Sequence, residues 1–227
     1  MKTRDIIVDS GVLISLTSVC LDGILRFFSE KHNVRFLVPP SVVRECVEYP
    51  VDNRIKKFLF SALKIKELIE DGVLIGLSDS SSKKASEFKK SANSCYFASG
   101  KPLELVGDGE AQVLASSVDL EIEHVLVDER TTRLLVESPL SLKAHLEKEF
   151  SVTIMVNKDN LRSISSTYSN LKLLRSCELV ILAYEYGYFD HFEDLKKDAL
   201  EAALFSIKYA GCSMSFDEIN EYIKSVN

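Results

Sequence analysis

Four acidic residues occupy positions from which their carboxylates can act together: Asp9, Glu45, Glu110 and Asp128. Each one lies where an apolar segment gives way to a turn or where a helix begins. In an open α/β sheet this edge is where ligands bind, so the four carboxylates can converge on one ion. Carboxylate oxygens are the ligands that Mg²⁺ and Mn²⁺ prefer. The pattern predicts a site for divalent-cation chemistry, of which phosphodiester cleavage is one example.

An ordinary structural role for each acid stays open. Asp9 and Asp128 follow predicted strands and precede predicted helices, which is also the position of a helix N-cap. Glu45, Asp108 and Glu110 could each complement a helix dipole instead. Only the joint order of the acids along the chain favours a shared site.

The predicted elements alternate between strands and helices, which is typical of a mostly parallel sheet covered on both faces. Short unbroken apolar runs suit buried strands, and helical spacing of apolar residues marks the segments between them. The predicted strands are Ile6–Val8, Arg35–Val38, Val125–Val127, an edge strand at Val73–Ile75 and a last candidate at Val152–Val156. The predicted helices are within Val12–Phe28, from Ser41 to Pro50, Asn53–Glu70, Ser78–Ser99 and Glu110–Val118.

The carboxyl-terminal part of the chain carries no strand signal from about Thr167 onward and is predicted to form three helices. The second should begin at Asp190 and the third at Ser215, each with a glutamate three residues later in the capping-box pattern. Gly187 and Gly211 supply the helix stops. We expect a small helical bundle over residues 161–227, docked on a sheet domain over residues 1–160.

Composition limits the partners of this chain of 227 residues. With 46% hydrophobic and 27% charged residues it suits a folded core, and its formal charge of −6 argues against indiscriminate nucleic-acid binding. Two lysine-rich stretches, at 54–66 and 83–90, are more typical of solvated helix faces. Five cysteines without close spacing and the lack of a long apolar segment predict a cytoplasmic protein with no membrane partner.

Together these segments resemble the PIN-domain nucleases. The matching pieces are Ile6–Ser10, Val38–Glu45, Gly109–Ala115 and Val125–Glu129 with Arg133. The resemblance implies a three-layer α/β/α domain over residues 1–160, with a helical insertion at about 51–104, that cuts RNA with Mg²⁺ or Mn²⁺. It also implies a possible homodimer, and an antitoxin or an RNA-processing partner.

By the same resemblance, Asp9, Glu45, Glu110 and Asp128 are the expected catalytic and metal-binding residues. Ser10, Asp108 and Glu129 are secondary candidates: Ser10 follows the first acid, Asp108 competes with Glu110, and Glu129 adjoins Asp128 but should point to the other side. The chain departs from the family at Leu126, where a threonine is common. Two alternatives therefore stay open: a non-catalytic RNA- or protein-binding relative, and, with less support, a phosphoryl-transfer domain with Asp9 as acceptor.

Overall fold

The computed structural model describes residues 3–226 and consists of strands that alternate with helices. The strands are β1 (Arg4–Val8), β2 (Val34–Val38), β3 (Leu74–Gly76), β4 (Tyr96–Ala98), β5 (Lys101–Pro102), β6 (His124–Leu126), β7 (Ile154–Val156) and β8 (Lys172–Leu174). The helices are α1 (Ser10–Ser18), α2 (Gly23–His32), α3 (Pro40–Val43), α4 (Tyr49–Asp52), α5 (Lys56–Glu70), α6 (Ser82–Ala92), α7 (Asp108–Asp119), α8 (Arg130–Glu137), α9 (Pro139–Phe150), α10 (Lys158–Tyr168), α11 (Ser176–Glu185), α12 (Lys196–Ala210) and α13 (Phe216–Ser225).

A parallel five-stranded sheet with the order β3-β2-β1-β6-β8 forms the centre of the fold. Its middle strand, β1, is the apolar run at the start of the chain, and Ile7 and Val8 are fully buried there. The expected α/β class with a parallel central sheet is confirmed. The flanking helices are consistent with a three-layer arrangement.

Strand β8 corrects the expectation that no strand follows Thr167. It pairs in parallel with β6, and the Val127 N–H donates to the Leu174 carbonyl at 2.8 Å just beyond that pairing. A three-residue edge strand leaves almost no periodicity in a sequence, because its hydrogen bonds depend on a distant partner. The carboxyl-terminal segment therefore completes the central sheet as well as supplying helices.

The strand expected at Val152–Val156 is shorter and lies outside the central sheet. Strand β7 begins at Ile154 and pairs antiparallel with β4, which in turn pairs with β5. Because β4 takes up the end of the helix expected at Ser78–Ser99, that helix is reduced to α6, Ser82–Ala92, preceded by a short 3₁₀ turn at Asp79–Ser81.

The helix predicted to end at Pro50 instead continues from α3 to α4 through a wide π turn at Arg44–Glu48. The Tyr49 N–H donates to the Arg44 carbonyl, five residues back. A proline ring normally clashes with the carbonyl four residues before it, and a wider turn relieves that clash. Glu45 consequently lies within the π turn.

Two shorter helices, α1 and α2, replace the single run of helical spacing at Val12–Phe28. The chain reverses between them at Cys20, which has a φ of 59°. Among residues 3–226 no single helix is long and apolar enough to cross a membrane, although α1 and α2 together, bent by 110°, meet that test by length and composition. Buried core helices meet it too.

At the carboxyl-terminal end, the capping box at Ser215 is confirmed: its hydroxyl accepts the Glu218 N–H at 3.1 Å, and Glu218 accepts the Ser215 N–H at 2.7 Å. Gly211 ends α12 with a φ of 126°. The start predicted at Asp190 is wrong, because Glu193 takes a φ of 49° and only an irregular 3₁₀ segment forms before α12 begins at Lys196.

Candidate functional site

Asp9 lies at the carboxyl end of the central strand and caps α1. Its backbone N–H donates to the Leu126 carbonyl at 2.9 Å, which fixes it beside the end of β6. Its Oδ2 accepts the Gly11 N–H at 3.1 Å, so Asp9 does take the N-cap position that the sequence left open as an alternative. Its Oδ1 is buried and has no hydrogen-bond partner. A buried carboxylate oxygen without a partner is costly, so this atom calls for a functional explanation.

The environment of Asp9 favours its neutral form. Burial raises the pKa of Asp9 from its ordinary value of 3.8 to about 7. The negative charges of Glu110 and Glu45 add to this rise in pKa, while backbone N–H groups oppose it. Buried carboxyl groups that repel one another in this way are typical of sites that hold a proton or a cation.

Glu45 reaches the same place from the π turn, across the first turn of α7. A methyl group on Gly109 would lie 2.8 Å from Glu45 Oε2 and 3.8 Å from Asp9 Oδ1. The absence of a side chain at residue 109 therefore leaves the space that the two carboxylates share. The sequence contains this glycine in a turn motif, but its packing role follows only from the fold.

Glu110 stands at the third position of α7, where its Oε2 accepts the Gly107 N–H at 3.1 Å. Burial raises the pKa of Glu110, and the charges of Glu45 and Glu129 raise it in the same direction. Together with Glu45, Glu110 lines an open cleft of about 450 Å³ whose walls also include Arg44 and Tyr49. The Glu110 side chain thus caps α7 and also belongs to the acidic group.

Asp128 is near Asp9 but is already hydrogen-bonded. A Cβ atom placed on Gly11 would lie 3.2 Å from Asp9 Oδ2 and 4.0 Å from the Asp128 Cβ, so the two aspartates lie on either side of this position. The Ser176 hydroxyl donates its one hydrogen to the Asp128 carboxylate, with Oδ2 at 2.7 Å and Oδ1 at 2.9 Å, and the Ser176 N–H donates to Oδ1 at 2.8 Å. Asp128 therefore anchors the start of α11 in this conformation.

The secondary candidates differ in their surroundings. Asp108 points to solvent with 83% of its side chain exposed and forms an ion pair with Lys89 at 2.7 Å. Glu129 caps α8 by accepting the Thr132 N–H, and its charge acts on Glu110. Ser10 is buried at the start of α1, and its backbone N–H lowers the Asp9 pKa. Of these three, Glu129 is the one whose charge reaches the central carboxyl groups.

Three positioning residues were not predicted from the sequence. Ser176 binds Asp128, as described above. Gln112 on α7 accepts the Ser41 N–H at 2.7 Å and donates to Asp79 at 2.8 Å, which ties the Glu45 segment to α7. Asn93 holds the loop before α7 by accepting the N–H groups of Leu105 and Val106 at 2.8 and 2.9 Å. These contacts span 12 to 71 residues, so no local pattern marks them.

The donor set has the chemistry that a hard divalent cation requires, but not a ready-made coordination sphere. Within residues 3–226, no three histidine, cysteine or acidic side chains are arranged closely enough to hold a metal ion. The partnerless Asp9 Oδ1 is nevertheless a hard oxygen of the kind such an ion binds, and the missing side chain at Gly109 leaves room for Glu45 Oε2 on the same side. Asp9, Glu45 and Glu110 are the acids whose charges act on one another here.

Comparison of this chain with protein-family models, with curated proteins and with solved structures finds no match.

Proposed function

We propose that this chain is a PIN-like endoribonuclease that hydrolyses RNA phosphodiester bonds with Mg²⁺ or Mn²⁺ held by Asp9, Glu45 and Glu110. The observation that carries the proposal is Asp9 Oδ1, which is buried without a partner while two glutamates crowd the same carboxylate. A purely structural N-cap needs only the oxygen that accepts the Gly11 N–H. The second oxygen is explained if it serves a cation.

The proposed roles of the chain's own groups follow from their protonation. Burial and two neighbouring acids raise the pKa of Asp9 to about 7, so a positive charge that enters the site favours loss of the Asp9 proton. Glu45 is exposed, and Glu110 lies on the first turn of α7. Both carboxylates would bind the entering positive charge from the side of the cleft. A divalent cation bound there would screen the phosphate charge, acidify a water and stabilise the leaving oxygen.

The side chains that line the cleft suit an elongated anionic substrate that carries unpaired bases. Arg44 and Tyr49 stand on its wall beside the acids, and Tyr49 is exposed. An arginine suits a phosphate, and an exposed tyrosine ring suits an unpaired base. The lysine-rich stretches contribute less, since Lys64, Lys84 and Lys89 are each engaged in ion pairs with acidic residues.

A non-catalytic binding module is the second candidate, and Asp128 is the observation that favours it. The sequence resemblance makes Asp128 the fourth metal ligand, whereas here both of its oxygens accept hydrogen bonds from Ser176. Under this alternative the fold would be retained with one acid diverted to hold α11. The resulting protein would bind RNA or a protein partner without cutting it.

Two measurements on the same samples separate the candidates. The nuclease proposal expects Mn²⁺ to raise the melting temperature of the parent protein, because a ligand that binds only the native state stabilises it. It also expects cleavage of a single-stranded RNA oligonucleotide that is lost in Asp9→Asn and Glu110→Gln. Asp159→Asn, in an exposed carboxylate on α10 that does not line the cleft, is the matched control and should retain both properties. RNA binding without cleavage, and without any thermal response to millimolar Mn²⁺, would support the binding module instead.

Self-association stays part of the proposal. Phe60 and Leu63 on α5 are 57% and 51% exposed, so the carboxyl-terminal helices do not cover this side of the helix. An antitoxin or an RNA-processing partner likewise remains a prediction. Sedimentation of the purified chain would test the homodimer directly.

A further inference from the structure

A second cavity lies at the opposite end of the sheet from the acids. It has a volume of about 540 Å³ and lies against one sheet face, between α2 and α11. The strand register explains its lining: Ile6 pairs with His124, and His124 pairs with Lys172, so these three side chains point to the same face. The acids follow the carboxyl ends of the strands, about 15 Å away along β1.

The interior of this cavity is apolar. Phe36 from β2 forms part of its floor, and Phe28 of α2 and Leu179 of α11 form part of its walls. All three are buried. Tyr186 extends the wall past the end of α11, where its ring contacts Phe28 edge-on at 5.9 Å and His32 at 4.8 Å. The size and lining match those of small-molecule sites, which are mainly apolar with few polar groups.

The mouth of the cavity is positively charged. Arg4, His32, His124 and Lys172 line it together. Lys172 forms an ion pair with Glu123 at 2.8 Å, whereas Arg4 forms no ion pair within residues 3–226. Burial lowers the pKa of His124, and the charges of Lys172 and Arg4 also lower it, while the charge of Glu123 opposes them. Within residues 3–226 the mouth therefore presents one cation without an ion-pair partner, the Arg4 guanidinium, beside the Lys172 ammonium and two imidazole rings.

We propose that this cavity binds a small organic monoanion with an apolar body, of the chemistry of a medium-chain fatty acid. Its carboxylate lies at the mouth among Arg4, His124 and Lys172, and its hydrocarbon lies against Phe36 and Leu179. Among residues 3–226, a single cation without an ion-pair partner at the mouth matches one carboxylate better than a polyphosphate. The apolar interior excludes ligands with polar bodies, because buried polar groups without partners are costly. This proposal does not depend on nuclease activity.

Calorimetric titration with decanoate, below the concentration at which it forms micelles, tests the proposal. We expect saturable binding at one site per chain. Decanol keeps the apolar body without the charge, and butyrate keeps the charge with little apolar body, so each should bind at least about tenfold more weakly than decanoate. Equal binding of decanol and decanoate, or no saturable binding of decanoate, would overturn the proposal.

Variants locate the bound anion. Arg4→Gln changes an exposed side chain and should weaken decanoate binding about tenfold without loss of folding. Leu182→Trp, in the wall of the cavity on α11, should block binding by filling the space, and its melting curve reports whether it folds. Arg162→Gln removes an exposed cation elsewhere and is the matched control. Unchanged affinity in Arg4→Gln, or a loss in Arg162→Gln as large as in Arg4→Gln, would place the anion elsewhere and refute the assignment.

Discussion

Replacing Asp9 by asparagine should stabilise the metal-free protein, and the gain should grow with pH. The neutral amide keeps an oxygen that can accept the Gly11 N–H but removes the charge that burial and the two glutamates disfavour. A carboxyl group whose pKa is raised in the folded state stabilises the fold at low pH. That contribution is lost as the pH rises from the unfolded value of 3.8 towards the folded value of about 7.

The magnitude follows from the same pKa shift. Between about pH 5 and about pH 8 the folded parent loses the Asp9 proton, whereas the unfolded chain has already lost it. About two pKa units lie between the lower pH and the folded pKa, which corresponds to about 2.7 kcal/mol. The free energy of unfolding of Asp9→Asn minus that of the parent should rise by about this amount over the interval. Other titrating groups cancel in the difference, to the extent that they are independent of Asp9.

Urea unfolding in the presence of a chelator at both pH values measures this quantity. The exposed Asp159 on α10 supplies the matched control, since the same substitution there removes a carboxylate that is in water in both states. Its difference from the parent should change little with pH. If the difference in free energy of unfolding between Asp9→Asn and the parent also stays constant, or decreases as the pH rises, the folded state does not raise the pKa of Asp9.

Three further substitutions test how the site is built. Gly109→Ala should leave the melting temperature unchanged or higher, because alanine favours a helix, but it should weaken the thermal response to Mn²⁺ because the new methyl group displaces Glu45. A full Mn²⁺ response would show that the position of Glu45 does not depend on the glycine. Ser176→Ala should lower the free energy of unfolding in urea by about 1–3 kcal/mol, because the hydroxyl's hydrogen bond to buried Asp128 is lost. A change near zero would show that this hydrogen bond does not stabilise the fold. Gln112→Leu should lower the free energy of unfolding by about 1–3 kcal/mol and should speed amide hydrogen exchange at Ser41, whose N–H loses its acceptor. Unchanged exchange at Ser41 would show that Gln112 does not hold the Glu45 segment.

The sequence predicts the centre of the fold well because its signals there are local. The apolar run before Asp9 forms the buried middle strand, and the edge strand expected near Leu74 is present as β3. The capping pattern at Ser215 requires only neighbours within one turn, and it is confirmed. Each of these features depends on residues a few positions apart.

The errors arise where distant contacts outweigh local pattern. Strand β8 forms because β6 offers it hydrogen-bond partners, and the signal of three residues is too short to reveal this. The helix across Pro50 persists because a wide turn accommodates the ring. At Asp190 the local capping pattern is present, yet Glu193 takes a left-handed φ of 49° and prevents a regular helix.

The candidate site shows the same division. Sequence order placed Asp9, Glu45, Glu110 and Asp128 near one edge of the sheet, and the structure brings the first three into electrostatic contact. The hydrogen bonds of Asp128 to Ser176 join residues 48 positions apart and have no local signature. No local sequence pattern marks the second cavity either, since its mouth is assembled from the starts of separate strands and the end of one helix.

The most direct test of the central claim is diffraction from crystals grown in Mn²⁺, recorded at the manganese absorption edge. The account predicts one anomalous peak about 2 to 2.5 Å from Asp9 Oδ1, with a carboxylate of Glu45 or Glu110 also in contact. The peak should be missing in Asp9→Asn crystals grown under the same conditions. Well-ordered parent crystals at saturating Mn²⁺ that show no peak beside Asp9 would contradict the claim that these acids hold a divalent cation.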